Sequence, residues 1–280
     1  MDLAKAKGVI IIILVAFNVF LLFNNLTVSR EQGVRKETIE NAEKILKARG
    51  VTLEKGIPPA LKEAHWLVYG NEKLDRPSIG RAFFADNYHA SGYITDYAYQ
   101  DKKLVFTSDT GFVYTDGSPE VKVEADSSGN VNSDEAQKIA RKYLNDHKLL
   151  SGRYVIDELR RESDGSMVVT FMEEYDDFLV YDNYCSVTVT TGGVTRLEYS
   201  KLQILGFSKK IDDLADAYQV LLANYKDGSS LVITDMDVGY RFTQEHSIEG
   251  MESTELLPIW RVRIKGVAEP VYLGLLDAED

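Results

Sequence analysis

Cysteine is the residue this chain most nearly lacks: Cys185 is alone in 280 residues. One thiol closes no intrachain disulfide, so no disulfide framework carries the fold. It also leaves no cysteine near the N-terminus for lipid attachment. The context Asn183-Tyr184-Cys185-Ser186-Val187 reads as a strand, where a lone cysteine acts as a small core residue. No histidine is obviously placed to activate it as a nucleophile. Histidine is scarce too. His65, His89, His147 and His246 form neither His-x-His nor His-Glu-x-x-His, so nothing local supports a zinc site. His147 at a helix end and His246 in a loop read as solvated. A Gly-x-Ser-x-Gly elbow, a Walker A loop and a Gly-x-Gly-x-x-Gly fingerprint are all missing. These absences point away from an enzyme and imply no cofactor and no metal.

Positive charge is in deficit as well. Lys and Arg number 32 against 44 Asp and Glu, a formal net charge of −12. The first 30 residues are net positive, with Lys5, Lys7 and Arg30 against Asp2, so the body is more acidic than the whole. Such a surface repels nucleic acid and argues against nucleic acid as a partner. Two acidic stretches invite a metal reading. Asp235-Met236-Asp237-Val238-Gly239 faintly resembles a calcium loop but has Gly239 and Tyr240 at its fifth and sixth positions. Strand alternation, with Asp235 and Asp237 on one solvent-facing side, explains it better. Glu173-Glu174-Tyr175-Asp176-Asp177 reads as a solvated hairpin loop.

The strongest positive feature is the apolar run Gly8–Phe23, in which only Asn18 is strongly polar. A membrane helix needs roughly 20 such residues, and counting on through Asn24-Asn25-Leu26 reaches that length. A cleaved signal peptide is the competing reading, and Thr27-Val28-Ser29 weakly fits a cleavage site. The length of the run and the lack of Ala-x-Ala favour an uncleaved signal anchor. Lys5 and Lys7 before the run and Arg30, Arg35 and Lys36 after it leave orientation undecided by charge. A short N-terminal stub ahead of a large body suggests that the body is translocated. Within the run, small Gly8 and Ala16 and polar Asn18 are the candidate contacts to a partner helix. The alternative is that Asn18 simply lies one turn below the interface.

Beyond the anchor the pattern predicts an α+β body. Ile39, Ala42, Ile45 and Leu46 fall at helical spacing over Glu37–Arg49, followed by a short strand Val51–Leu53 and the break Pro58-Pro59. Leu61–Tyr69 and Ser78–Ala85 are ambiguous. Tyr93–Tyr99, Leu104–Ser108 and Phe112–Tyr114 read as an antiparallel meander. Ser133 is a natural N-cap for a helix running to His147, and strands Tyr154–Arg161, Met167–Glu174, Tyr181–Thr190 and Val194–Leu205 follow. A further helix is expected over Ile211–Tyr225, then strands Leu231–Tyr240, Leu257–Ile264 and Val271–Leu276. Helix followed by meander thus occurs about three times. The expected division is 1–30 stub, anchor and linker, 31–126 first module, 127–207 second and 208–280 third.

Several of these stretches carry a family resemblance. The start with Lys5 and Lys7, the run Ile10–Leu14 ending Phe17-Asn18-Val19-Phe20-Leu21, and the phrase Ile45–Val51 through Ile57-Pro58 resemble YycI members of the YycH/YycI family. So does Asp235–Tyr240 followed by Leu257–Val262. Ser133–Leu144 with its meander separately looks like a PepSY-type or YycH-like module. The resemblance covers nearly the whole chain, apart from Tyr69–Tyr88. It implies a bitopic regulator in a Gram-positive envelope, which the lack of disulfides also suits. The implied partners are a WalK (YycG) type sensor histidine kinase, a YycH-like protein and the membrane, through contacts that involve the membrane helix. It carries over no catalytic residue. An anchored protease inhibitor or binding protein built on PepSY-type modules is the alternative, and a cleaved, secreted binding protein is another.

Overall fold

The computed structural model describes residues 14, 17, 18, 36–61, 63–70, 72–85, 89–90, 96–119, 122–125, 129–211, 215–226, 230–242 and 253–274. Helix α1 spans 36–48. It is followed by β1 (Val51–Leu53), β2 (Ala64–Gly70), α2 (Arg76–Phe84), β3 (His89–Ala90), β4 (Asp96–Tyr99), β5 (Lys102–Phe106) and β6 (Gly111–Asp116). Next come α3 (Ser133–Asp146), β7 (Arg153–Arg161), β8 (Met167–Tyr175), β9 (Phe178–Thr190), β10 (Gly193–Ser200) and β11 (Gln203–Ile211). The chain continues through α4 (Ala217–Asn224), β12 (Leu231–Tyr240), β13 (Ser253–Leu256), β14 (Pro258–Ile264) and β15 (Val271–Gly274). This is a sheet-dominated α+β fold, in agreement with the expected class.

The two ambiguous stretches resolve through local chemistry. Ala64–Gly70 is a strand held between β11 and β13. Arg76–Phe84 is a helix because Asp75 caps it, accepting from the Ser78 backbone N–H, and because Pro77 fits its first turn. Helix α3 starts where expected, but its cap is Asn132, one residue before Ser133. The Asn132 Oδ1 accepts from the N–H groups of Asp134 at 2.9 Å and Glu135 at 3.3 Å. Its buried residues Ala136, Ala140 and Leu144 recur every fourth position and lie on β8, β9 and β10.

Two expected elements are corrected. The strand Val194–Leu205 breaks at Lys201-Leu202, and the chain from Gln203 joins a different sheet. The helix Ile211–Tyr225 is shorter than its apolar pattern, since Ile211 closes β11. Helix α4 begins at Ala217 because the Gln219 side chain reaches back to accept from the Asp216 N–H at 2.7 Å.

The large sheet has the order β15-β14-β12-β9-β10-β6-β5-β4-β3, with β8 and β7 extending from β9 and β1 pairing with β12. Strand β9 is its branch point. Strand β8 follows one edge of β9 throughout, from Met167 opposite Val189 to Tyr175 opposite Phe178. The other edge is shared: residues 184–190 pair with β10, while Leu179 and Val180 pair in parallel with Gly239 and Tyr240 of β12. Only glycine fits at 239, since a Cβ there would lie 2.2 Å from the Leu179 carbonyl oxygen and 2.8 Å from the Tyr181 ring. Strands β11-β2-β13 make a second, three-stranded sheet.

Among the described residues three buried clusters result. The first lies between α3 and the sheet and includes Leu144, Phe171, Cys185, Val187 and Leu197. The second joins Leu46 of α1 and Val51 of β1 to Val220 and Leu221 of α4 and Trp260 and Val262 of β14. The third packs Leu67 and Tyr69 of β2 against Val180, Tyr240 and Leu256. Residues from both sides of the boundaries expected at 126 and 207 therefore share cores. Among the described residues no helix is long and apolar enough to cross a membrane. Of the expected span only Leu14, Phe17 and Asn18 are described, helical and exposed; the rest of Gly8–Phe23 lies outside the described residues.

Candidate functional site

Of the three residues expected to meet a partner helix, Gly8 and Ala16 lie outside the described residues. Asn18 is described, and its Nδ2 donates to the Leu14 carbonyl at 2.9 Å, one turn earlier. This bond pairs one N–H of the carboxamide within its own helix.

The most strongly polar interior site joins β7 to β12 and β14, strands with which β7 shares no ladder. Arg261 is its centre, its side chain 3% exposed. Strand register sets it opposite Asp237, which it engages through Nε to Oδ1 at 3.1 Å and Nη2 to Oδ2 at 2.7 Å. A second carboxylate, Asp157, receives Nη2 at 2.7 Å and Nη1 at 3.1 Å. Asp157 sits where the β7–β8 register slips between Ile156 and Glu158, which frees it from the ladder. Arg263 Nη2 adds 2.6 Å to Asp157 Oδ2. The Tyr181 hydroxyl donates to Asp237 Oδ1 at 2.6 Å, and its ring lies 4.5 Å beneath the Arg261 guanidinium. Burial pushes the Asp157 carboxyl up, but the Arg261 and Arg263 guanidiniums outweigh it and hold the acid below the usual carboxylate range. Asp235 and Asp237 are both partly exposed, at 36% and 30%; Asp237 is also an ion-pair partner of Arg261, and Asp235 lies 2.9 Å from Lys55. Among the described residues no group of three or more His, Cys, Asp or Glu could hold a metal ion.

In the acidic stretch at 173–177, Asp176 and Asp177 form the exposed hairpin turn as expected, and Glu173 is the correction. Glu173 is buried, accepting from Asn183 Nδ2 at 2.6 Å with Lys201 Nζ at 3.6 Å. Asn183 in turn clasps the backbone of Leu202, donating to its oxygen at 3.0 Å and accepting from its N–H at 2.6 Å. That clasp satisfies the backbone where the chain leaves β10 for β11. Cys185 lies in the core as expected, and burial pushes its thiol up to about 12, so it stays protonated and inert at neutral pH.

A cleft of about 380 Å³ opens between the C-terminal ends of α2 and α3 and strands β5 and β6. Its floor is aromatic. Phe83 stacks on Tyr114 at 4.6 Å and on His147 at 4.5 Å, and His147 packs on Tyr143 at 4.3 Å. The expected solvated His147 is therefore half-buried between rings, and burial moves its imidazole below its ordinary value, toward the neutral form. The Tyr114 hydroxyl donates to buried Asp116 at 3.3 Å. Lys102 Nζ lies 3.5 Å from the same carboxylate. Sequence reasoning missed both this cleft and the Arg261 site. A charge at 261 inside the apolar strand 257–264, placed to oppose an acid on a neighbouring strand, is the one signal that pointed to the latter.

A family model described as YycI protein matches residues 29–271. The chain belongs to the YycI family. No curated protein matches it. Among solved structures, YycH from Bacillus subtilis is similar at a TM-score of 0.51 and 14% identity, over 77% of this chain and 53% of YycH. This YycI chain therefore matches about half of YycH, and at that identity the likeness is one of fold. An uncharacterized protein from Eubacterium rectale aligns at a TM-score of 0.47 and 9% identity, over 81% of this chain and 87% of the other.

Proposed function

We propose that this YycI chain is a non-enzymatic, membrane-anchored regulator of a WalK (YycG) type sensor histidine kinase, with its body outside the cell. The observation that carries the reading is the family match over residues 29–271. The YycH-like fold supports a YycH-like protein as a second partner. The apolar run Gly8–Phe23 is the anchor in this reading, and Gly8, Ala16 and Asn18 form its contact face toward the kinase helix. The Asn18 bond to Leu14 fits such a role, because it holds one carboxamide N–H and can be exchanged for a bond to a neighbouring helix. The divisions at 30, 126 and 207 are kept as part of the proposal, with the three modules acting together through their shared cores.

The test replaces Gly8–Phe23 by an unrelated apolar helix, and separately makes Asn18→Leu. Crosslinking to the kinase and a reporter of kinase output are the readouts. Loss of crosslinks with altered output is expected for the swap, and altered output with intact membrane insertion for Asn18→Leu. Unchanged crosslinks and output in the swapped chain would sink the reading.

A further inference from the structure

Strand β7 is an outer strand of the large sheet. It pairs with β8 along one edge, and among the described residues no backbone hydrogen bond crosses its other edge. A bare edge of nine residues is a template for another strand. Bulges and inward-pointing charges blunt such edges, and β7 has both at Asp157, in its first half. Beyond that point Leu159, Arg160 and Arg161 stand exposed in succession.

The strand also carries apolar side chains to the surface. Ile156 lies opposite Phe171, and Leu159 opposite Val169. Phe171 and Val169 are two residues apart and both belong to the core beneath α3. The bulge therefore sets Ile156 and Leu159, three apart, on that same face. Helix α3 packs chiefly over β8, β9 and β10, and at β7 Ile156 and Leu159 are left 37% and 42% exposed. Among the described strands of the large sheet, Tyr99 is the only other large apolar side chain so exposed.

The order of side chains says which strand fits this edge. Glu158-Leu159-Arg160 reads acid, apolar, base. An antiparallel second copy with its twofold at Leu159 sets Leu159 against Leu159, and each Glu158 against the other copy's Arg160. Opposed unlike charges and apolar pairs stabilise such a ladder. Moving the twofold one residue either way sets Glu158 against Glu158 or Arg160 against Arg160, so the pattern selects one register. The ion pairs Arg160 makes within its own strand region, to Glu162 at 2.5 Å and Glu158 at 3.7 Å, are exposed and exchange at little cost.

We propose that two copies of this chain pair antiparallel through β7, with Leu159 at the twofold. The inference does not rest on the kinase reading, and its failure would leave that reading untouched.

The experiment is disulfide trapping of the purified full-length chain. Cys185 is buried, so Leu159→Cys supplies the accessible thiol. Directly opposed residues of an antiparallel pair have Cα atoms roughly 4.5–5.5 Å apart, within the range a disulfide spans. Oxidised with copper phenanthroline, Leu159→Cys should form dimer faster than Val267→Cys, an exposed control in the β14–β15 loop. Adding Glu158→Arg or Arg160→Glu should each slow trapping about tenfold, since either change turns two symmetry-related attractions into repulsions. Both reversals together should restore it. Thermal melting separates lost pairing from lost fold. Equal trapping at 159 and 267, unchanged rates in folded single-reversal variants, or a double reversal no faster than the single ones would overturn the proposal. So would oxidation of Leu159→Cys in whole cells that yields an adduct with a different protein in place of the dimer.

Discussion

Arg261 lies on β14 with both flanking residues, Trp260 and Val262, buried. Its guanidinium, between Asp157 and Asp237, is the cation that lets two carboxylates occupy one interior space. Arg261→Met keeps much of the side-chain volume but leaves those acids facing each other without it. Breaking a buried pair in this way costs about 3–5 kcal/mol, and urea denaturation should show a loss of that size. Acid acts on the same site from the other side. The folded-state pKa of Asp157 is depressed, so its contribution is complete above the unfolded value of 3.8 and is lost as pH falls through the lower folded value. Stability of the wild type should therefore drop more steeply below pH 3.8 than that of Asp157→Asn, measured by denaturation across acid pH.

At the scale of elements, boundaries follow from capping and from register. Helix α3 has its apolar stripe where sequence periodicity puts it, but its first turn is anchored by Asn132. Asn132→Ala should destabilise the protein by about 1 kcal/mol, whereas Ser133→Ala should change little, a contrast that thermal melts would read directly. Strand β9 was legible as a strand because buried Asn183, Cys185, Val187 and Val189 alternate along it. Its branching role was not legible, since nothing local says that one edge serves two partners. The same holds for Lys201-Leu202, where an apolar-alternating run continues but the chain changes sheets under the Asn183 clasp.

Over the whole molecule, the N-terminal helix of the body belongs energetically with the C-terminal strands. Leu46 is fully buried among Val220, Leu221, Trp260 and Val262, and β1 pairs in parallel with β12. Leu46→Ala should cost about 2–5 kcal/mol. Its effect should reach β14 more than 200 residues away, as faster amide exchange at Val262 than at Val187 in the separate core beneath α3.

Local pattern by itself determined the fold class, most helices and strands, the core placement of Cys185 and the family, because each rests on residue type and spacing within about 15 residues. Tertiary structure alone decided where three kinds of polar group end up. Glu173 reads as a solvated acid, yet the β8–β9 register buries it against Asn183; Asp237 reads as solvent-facing, yet it also meets Arg261 of β14, whose guanidinium is shared with Asp157 from 104 residues away. His147 read as solvated at a helix end, yet α2 supplies the ring of Phe83 that covers it. The physical reason is common to all three. A charged or polar side chain is stable inside only when a partner desolvates with it, and that partner is chosen by topology, which no local spacing encodes.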